Sequence, residues 1–343
     1  MHTTTSNSGL VLGAMMFGTG VGERDAFALL DRFVDRGGVW IDTADCYSFW
    51  ADSSGLGGQS ERLIGRWLRA RPGMRDRVKI STKLGAQPAA PGSWPEHRAG
   101  LSASAIHKAF DGSRMRLGVE NVDLLWIHQE DRAASLEETV SALGELTVAG
   151  VVARVGASNH PAWRVESART LQASLGFSEF DALQHSTSYL LPRPGTLPPG
   201  VVHRFGPLSD EHRDLAVERG MEVWAYSPLL SGAYDNPDKS VPDVYDQPGN
   251  VARLRILGDV ASEIGVTRGQ VVLAWLLANG VHPILGGSKL YQLDAALEAA
   301  TLRLPADALR RLNSVDRTPW SDPYNKITSE TGGRSSAMGT LSE

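Results

Sequence analysis

Four residues able to hold or move a proton stand at or just past short apolar runs. They are Asp42 at the end of "VWID", Tyr47 in the loop beyond it, Lys83 after "KIST" and His128 after "LLWI". A tyrosine is a weak acid, with a reference pKa of about 10. A neighbouring ammonium favours the phenolate and lowers that value, and a carboxylate holds the ammonium in place. A neutral histidine donates a hydrogen bond to a carbonyl oxygen and orients it. Such a set protonates a carbonyl oxygen while hydride reaches its carbon, or takes the proton from an alcohol in the reverse direction. No side chain carries hydride, so this chemistry needs a nicotinamide or a flavin. Taken singly, each residue also has a structural reading, with Asp42 as a cap on the next turn and Lys83 and His128 as ordinary strand ends. Their joint placement favours proton transfer. Other apolar runs end in Ser158 and Asn159, in Gln184, in Tyr226 and in the "GGSK" turn at 286–289.

These residues need a scaffold that brings many strand ends together. Eight candidate strands punctuate the chain: "LVLG", "VWID", "RVKIST", "VDLLWIH", "VVARVGAS", "DALQ", "MEVWAYS" and "HPILGG". Amphipathic stretches separate them. "ERDAFALLDRFVDRGG" puts Ala26, Leu30, Phe33 and Val34 on one helical face and stops at Gly37–Gly38. Ser60 is expected to open the next helix. Later helices are expected to stop at Gly118, Gly150, Gly176, Gly220 and Gly280. Ser135 with Glu138 and Thr267 with Gln270 read as capping boxes, Pro161 suits a first turn, and Ser209 opens a further helix. The rhythm predicts an α/β fold, a (β/α)₈ TIM barrel in one domain over the whole chain, with its core at about 9–317 and a polar tail at about 318–343. Periodicity alone leaves an open doubly wound sheet as the alternative. Three long connections rich in Pro and Gly, at 86–100, 191–208 and 231–250, follow strand ends, on the barrel face where ligand loops gather.

Composition narrows the function classes. The chain has 343 residues, 42% apolar and 21% charged, with a net charge of -5 and no basic run that would suit nucleic acid. Its one cysteine, Cys46, allows no internal disulfide and no cysteine-based zinc cluster. No stretch approaches the roughly 20 apolar residues of a membrane span. A cytoplasmic protein without nucleic-acid or membrane partners is expected, and the oligomeric state is not legible. "GTGVGE" at 18–23 precedes a helix and mimics a dinucleotide fingerprint, but Glu23 stands at the third glycine position, so a turn is expected there. No HxH or HExxH pair suggests a metal site, so none is expected.

The segments "DTADCY", "STKLG", "DLLWIHQED", "GASN", "LQHSTSYL" and "WAYSPLLSG" occur in this order at the strand ends. In this the chain resembles the aldo-keto reductase family of NADPH-dependent barrel oxidoreductases, over roughly residues 9–317. The resemblance implies that Tyr47 is the general acid/base, that Lys83 and Asp42 tune it, and that His128 orients the carbonyl. It implies that Ser158, Asn159 and Gln184 hold the nicotinamide carboxamide and that Tyr226 stacks on the ring. It also assigns Gly13, Ser227, Leu229, Gly232, Gly286, Ser288, Lys289 and Gln292 to cofactor binding, with the segments after Tyr226 and around 286–292 wrapping the pyrophosphate and adenosine end. NADPH is the expected cofactor, with NADH as the alternative, and the expected substrate is a small aldehyde, ketone or sugar-like hydroxy-carbonyl. Ala295 and Ala296 depart from the Glu/Asn of many members, and Ala14 and Met15 from a common Thr-Trp. Lys289 reads equally well as a contact to a 2′-phosphate and as a solvated side chain. A second functional reading is a cofactor-sensing regulatory subunit with little turnover.

Overall fold

The computed structural model describes residues 9–314. Eight parallel strands close into one barrel in sequence order, which decides against the open sheet. They are β1 (Val11–Gly13), β2 (Trp40–Asp42), β3 (Lys79–Leu84) and β4 (Leu124–Ile127), then β5 (Val155–Ser158), β6 (Ala182–Ser186), β7 (Glu222–Tyr226) and β8 (Val281–Leu285). The outer layer comprises α1 (Glu23–Asp35), α2 (Gln59–Ala70), the short α3 (Met74–Arg77), α4 (Ala103–Leu117) and α5 (Leu136–Val148). It continues with α6 (Ala162–Ser174), α7 (Asp210–Arg219), α8 (Pro248–Ile264), α9 (Arg268–Ala278), α10 (Leu290–Ala299) and α11 (Ala306–Asn313). The "GTGVGE" segment is a turn, closed by an isolated bridge between Phe17 and Val21. Among the described residues no single helix is long and apolar enough to cross a membrane. The expected C-terminal tail at about 318–343 lies outside the described residues.

Local chemistry sets most helix ends. Gly118 and Gly220 close α4 and α7 in the left-handed conformation, where a side chain would be strained. Thr267 and Gln270 form a reciprocal capping box. Three expectations need correction. Ser60 does not cap α2. That end is formed by Gly58, while the buried Ser60 hydroxyl donates to the Ala14 carbonyl and pairs with Thr43. Ser135 caps α5, but Glu138 does not close the box, because its carboxylate accepts the Ala103 N–H instead. The third long connection ends before residue 250, because α8 begins at Pro248, with proline in its first turn and no side-chain cap from Gln247.

The interior of the barrel is layered. Alternation along each strand sends every second side chain inward. Val11, Leu124, Trp126, Ala182, Trp224 and Ile284 form an apolar plug, with Trp40 packed edge-on against Trp224 at 5.1 Å. Gly156 leaves room for Trp126, because a Cβ there would lie 2.4 Å from the indole. Two residues further along the same inward faces come Gly13, Asp42, Ser158, Gln184 and Tyr226, and Ser81 and Lys83 stand on the inward face of β3. The register sets Gly13 beside Asp42, Asp42 beside Ser81, and Ser158 beside Gln184. A polar layer therefore sits on an apolar one at the C-terminal mouth.

Candidate active site

At the mouth, the Lys83 ammonium donates to Asp42 Oδ2 at 2.5 Å, to the Thr43 carbonyl at 2.8 Å and to the Tyr47 hydroxyl at 2.7 Å. An ammonium has three hydrogens, and all three are used. Asp42 is held in turn by the Ser81 hydroxyl at 2.6 Å and more loosely by Gln184 at 3.3 Å. Period-two alternation in "KISTKL" puts Ser81 and Lys83 on one face, which explains why both reach Asp42. The ion pair is fully buried, whereas Tyr47 and His128 are only half-buried. Charge thus lies at the bottom, and the neutral groups face the opening. Because the Tyr47 oxygen accepts from Lys83, the phenol's own hydrogen remains available to a ligand; no protein acceptor for it stands among the described residues.

Electrostatics correct one expectation. Burial, and then the Asp42 charge, push the Tyr47 phenol well above its ordinary value, so Lys83 does not produce a net lowering. Burial lowers the Lys83 ammonium, with Asp42 acting against the shift. Burial, with Lys83 and Arg98 nearby, holds His128 well below the usual histidine range. At neutral pH the site therefore presents a protonated phenol beside a neutral imidazole, whose rings meet edge-on at 5.8 Å. His128 Nδ1 contacts the Cys46 thiol at 3.4 Å, leaving Nε2 for a ligand.

The next part of the wall is bonded into one unit. Tyr226 donates to Asn159 Oδ1 at 2.8 Å, and Asn159 Nδ2 donates to the His128 carbonyl at 2.9 Å and to Ser158 Oγ at 3.0 Å. Ser158 donates to the Gln184 carbonyl at 2.8 Å. Of the Gln184 amide, one N–H is engaged, leaving an N–H and the oxygen, the complement of a carboxamide. Asn159 adopts a positive φ of 58° and is braced from behind by histidines. His160 donates to the Ser158 carbonyl at 2.7 Å, and His212 donates to the His160 carbonyl at 2.7 Å. The other nitrogen of His212 accepts from Ser209, closing a capping box on α7. His185 stacks on His212 with centroids 4.1 Å apart and donates to the Phe205 carbonyl.

Other residues of the expected cofactor set lie around this wall. Gly13 abuts β8, where a Cβ would meet Ile284 at 2.8 Å and the Leu285 carbonyl at 3.1 Å. Ser227 has a φ of 57°, in a sharp turn after β7 that runs past Leu229 to Gly232. Gly286, Ser288 and Lys289 form an exposed turn between β8 and α10, and Gln292 in the first turn of α10 accepts the Ser288 N–H on Oε1 at 3.2 Å. No hydrogen bond among the described residues joins this turn to the Asn159–Gln184 wall.

Several participants carried no sequence signal. Asp45 is buried and pushed up to about 8 by desolvation and by Glu61, and its Oδ1 lacks a partner among the described residues. The ligand atoms of Asp45, Cys46 and His128 lie within 4.8 Å of one another, an arrangement that a search for paired histidines passes over. Arg98 reaches Gln129 beside His128 from the 86–100 connection, and only the fold brings them together.

Comparison with known proteins supplies the family. The sequence profile of the Aldo/keto reductase family matches residues 9–317. The uncharacterized oxidoreductase YrpG of Bacillus subtilis is 28% identical over 90% of this chain and 92% of its own. An aryl-alcohol dehydrogenase of Pestalotiopsis microspora is 30% identical, covering 89% of this chain and 78% of its own. The aldo-keto reductase ausK of Emericella nidulans is also 30% identical, over 93% and 80%. With a family match that spans nearly all of the described barrel and oxidoreductases among its relatives, the chain belongs to the aldo/keto reductase family of oxidoreductases.

Proposed function

We propose that this protein is a carbonyl reductase that uses NADPH in preference to NADH and reduces aldehydes or ketones to alcohols at the Asp42–Tyr47–Lys83–His128 cluster. The observation that carries this reading is the saturated Lys83 ammonium, which donates to the Tyr47 oxygen and so leaves the phenol's own hydrogen to be given to a ligand. When bound, the nicotinamide supplies the hydride. Tyr47 gives its proton to the substrate oxygen, Lys83 and Asp42 hold the phenol in place, and neutral His128 donates from Nε2 to the same oxygen. Ser158, Asn159 and Gln184 hold the carboxamide, and Tyr226 supports the ring. Gly13, Ser227, Leu229, Gly232, Gly286, Ser288 and Gln292 line the path for the remainder of the dinucleotide. Lys289, exposed at the start of α10, selects the 2′-phosphate.

The name of the aryl-alcohol dehydrogenase supports aromatic carbonyl compounds as substrates. We further propose that the whole chain acts as one metal-independent catalytic domain in the cytoplasm, where the free thiol of Cys46 suits a reducing compartment. Loss of NADPH absorbance with 4-nitrobenzaldehyde and a panel of ketones tests the reading. Turnover with NADPH is expected, and Lys289→Ala should raise KM for NADPH about tenfold, as for one charge-assisted contact, without changing that for NADH. A wild-type protein that oxidises neither cofactor with any carbonyl compound would overturn it.

A further inference from the structure

The connection at 86–100 is a small hairpin beside the candidate site. Ala89 N–H donates to the His97 carbonyl, Ala99 N–H to the Gln87 carbonyl, and Pro88 bridges to Arg98. The hairpin carries an aromatic residue, Trp94, whose ring lies 5.3 Å from Phe49, and Phe49 in turn meets Trp50 at 5.1 Å. Tyr47, Phe49 and Trp94 pack on one small apolar cluster of Ala44, Cys46 and Ala86. Next to the catalytic phenol there is thus an aromatic wall. At the base of the hairpin stands Arg98.

Arg98 is half-buried, and its Nη1 donates to Gln129 Oε1, on the residue directly after His128. A guanidinium carries five N–H donors, and a neutral amide does not compensate its charge. The nearby acids are committed elsewhere. Glu130 is held by Arg132 at 3.1 Å, with His203 at 3.7 Å from its other oxygen. Asp131 accepts the backbone N–H groups of Leu101 and Ala133, both at 2.9 Å. The neighbouring cations have ring contacts, Arg132 over Trp163 and Arg204 over Phe205, and among the described residues Arg98 has none. Among the described residues no carboxylate lies within ion-pair distance of Arg98. Its charge also reaches His128 and His203, helping to hold both imidazoles neutral.

We infer that Arg98 is an anion subsite of the substrate pocket, and that the preferred substrate is an aromatic aldehyde or ketone bearing a carboxylate. The inference rests on the carbonyl-reductase reading and adds the substrate class. The carbonyl faces Tyr47 and His128, the ring lies along Phe49 and Trp94, and the carboxylate meets the guanidinium. Arg98 touches no reacting atom, so it sets affinity and leaves the proton transfer to Tyr47.

The test compares 4-carboxybenzaldehyde with 4-formylbenzamide, a neutral compound of nearly the same shape, in wild type, Arg98→Met and Arg98→Lys. The wild type should favour the carboxylate in kcat/KM by about 10- to 100-fold, the range for one hydrogen-bonded charge pair. Arg98→Met should lose that preference, read as the ratio of kcat/KM for the two aldehydes, chiefly through a raised KM for the carboxylate. Arg98→Lys should recover part of the preference, because a point charge replaces the fork. Equal use of the two aldehydes by the wild type, or a preference that survives in Arg98→Met, overturns the subsite and leaves the reductase reading intact. Failure to reduce either compound, or any other carbonyl compound, overturns the reductase reading and this inference with it.

Discussion

Two buried polar clusters lie a short way apart in this barrel and are built on opposite principles. Asp42 and Lys83 face inward as an ion pair whose ammonium is saturated, with a phenol above it that opens to the mouth. His160, His185 and His212 lie behind the wall, and burial lowers all three, His160 to about 3. The first cluster retains charge because each charged atom has a partner. The second avoids charge, bonding instead to the carbonyls of Ser158, His160 and Phe205. Burial of titratable groups is thus no mark of chemistry by itself. What separates the two clusters is a half-exposed phenol that still has a hydrogen to give.

The sharpest way to break this contrast is Tyr47→Phe. It should lower carbonyl reduction by about 10²- to 10⁴-fold, the usual contribution of a general acid, with cofactor affinity close to wild type. Steady-state kinetics with NADPH titration checks it, and retention of a tenth of the activity would assign the proton to another group. Lys83→Met comes next. It leaves Asp42 buried and unpaired, which costs roughly 3–5 kcal/mol and should be visible as a fall in Tm. It also removes a donor that favours the phenolate, so the pH profile of alcohol oxidation should move to higher pH. A folded variant with an unmoved midpoint would reduce Lys83 to a brace like the histidines.

The histidine cluster predicts the opposite pH signature. Its members stay neutral when folded, while an unfolded chain binds protons below about pH 6.5. Their contribution to stability is therefore complete above that pH and declines as the pH falls, by up to roughly 1.4 kcal/mol per pH unit for each histidine. Protonating His212 would also put a hydrogen on the nitrogen that accepts from Ser209. His185→Phe should reduce the acid slope by about one proton, read from Tm between about pH 6.5 and 4.5, with reductase activity preserved. An unchanged slope would mean that His185 is protonated in the folded state. Ser209→Ala should have the smallest effect, about 1 kcal/mol for a lost helix cap, and should leave kcat unchanged.

Much of this architecture was written in local signals. Gly118 and Gly220 mark helix ends because only glycine takes a left-handed cap freely, and the strand rhythm between such stops gave the barrel. The four residues proposed to handle the proton stood out in the sequence because Asp42 and Lys83 lie at the ends of β2 and β3, His128 directly follows β4 and Tyr47 sits in the loop beyond β2. Less legible were features made by the tertiary fold. Helix α8 was hidden behind a loop rich in Pro and Gly, and Ser60 looked like a cap but serves a buried hydrogen bond. The direction of the Tyr47 shift could not be read either, since the nearby ammonium was visible in sequence and the desolvation was not. Arg98 meets Gln129 across 31 positions, and neither residue marks the other.

The hairpin at 86–100 has a consequence for redesign. Part of its attachment runs through backbone atoms, including the bond from Gly100 N–H to the Gly85 carbonyl that ties it to the end of β3. Substitutions at Trp94 and Arg98 leave these backbone bonds and Lys83 on β3 in place, although they remove the ring contact with Phe49 and the bond to Gln129. On the proposed reading, selectivity is an interchangeable cartridge plugged in beside a fixed engine. A library confined to this loop is then expected to change which carbonyl compounds are taken while the cluster at the barrel mouth stays as it is.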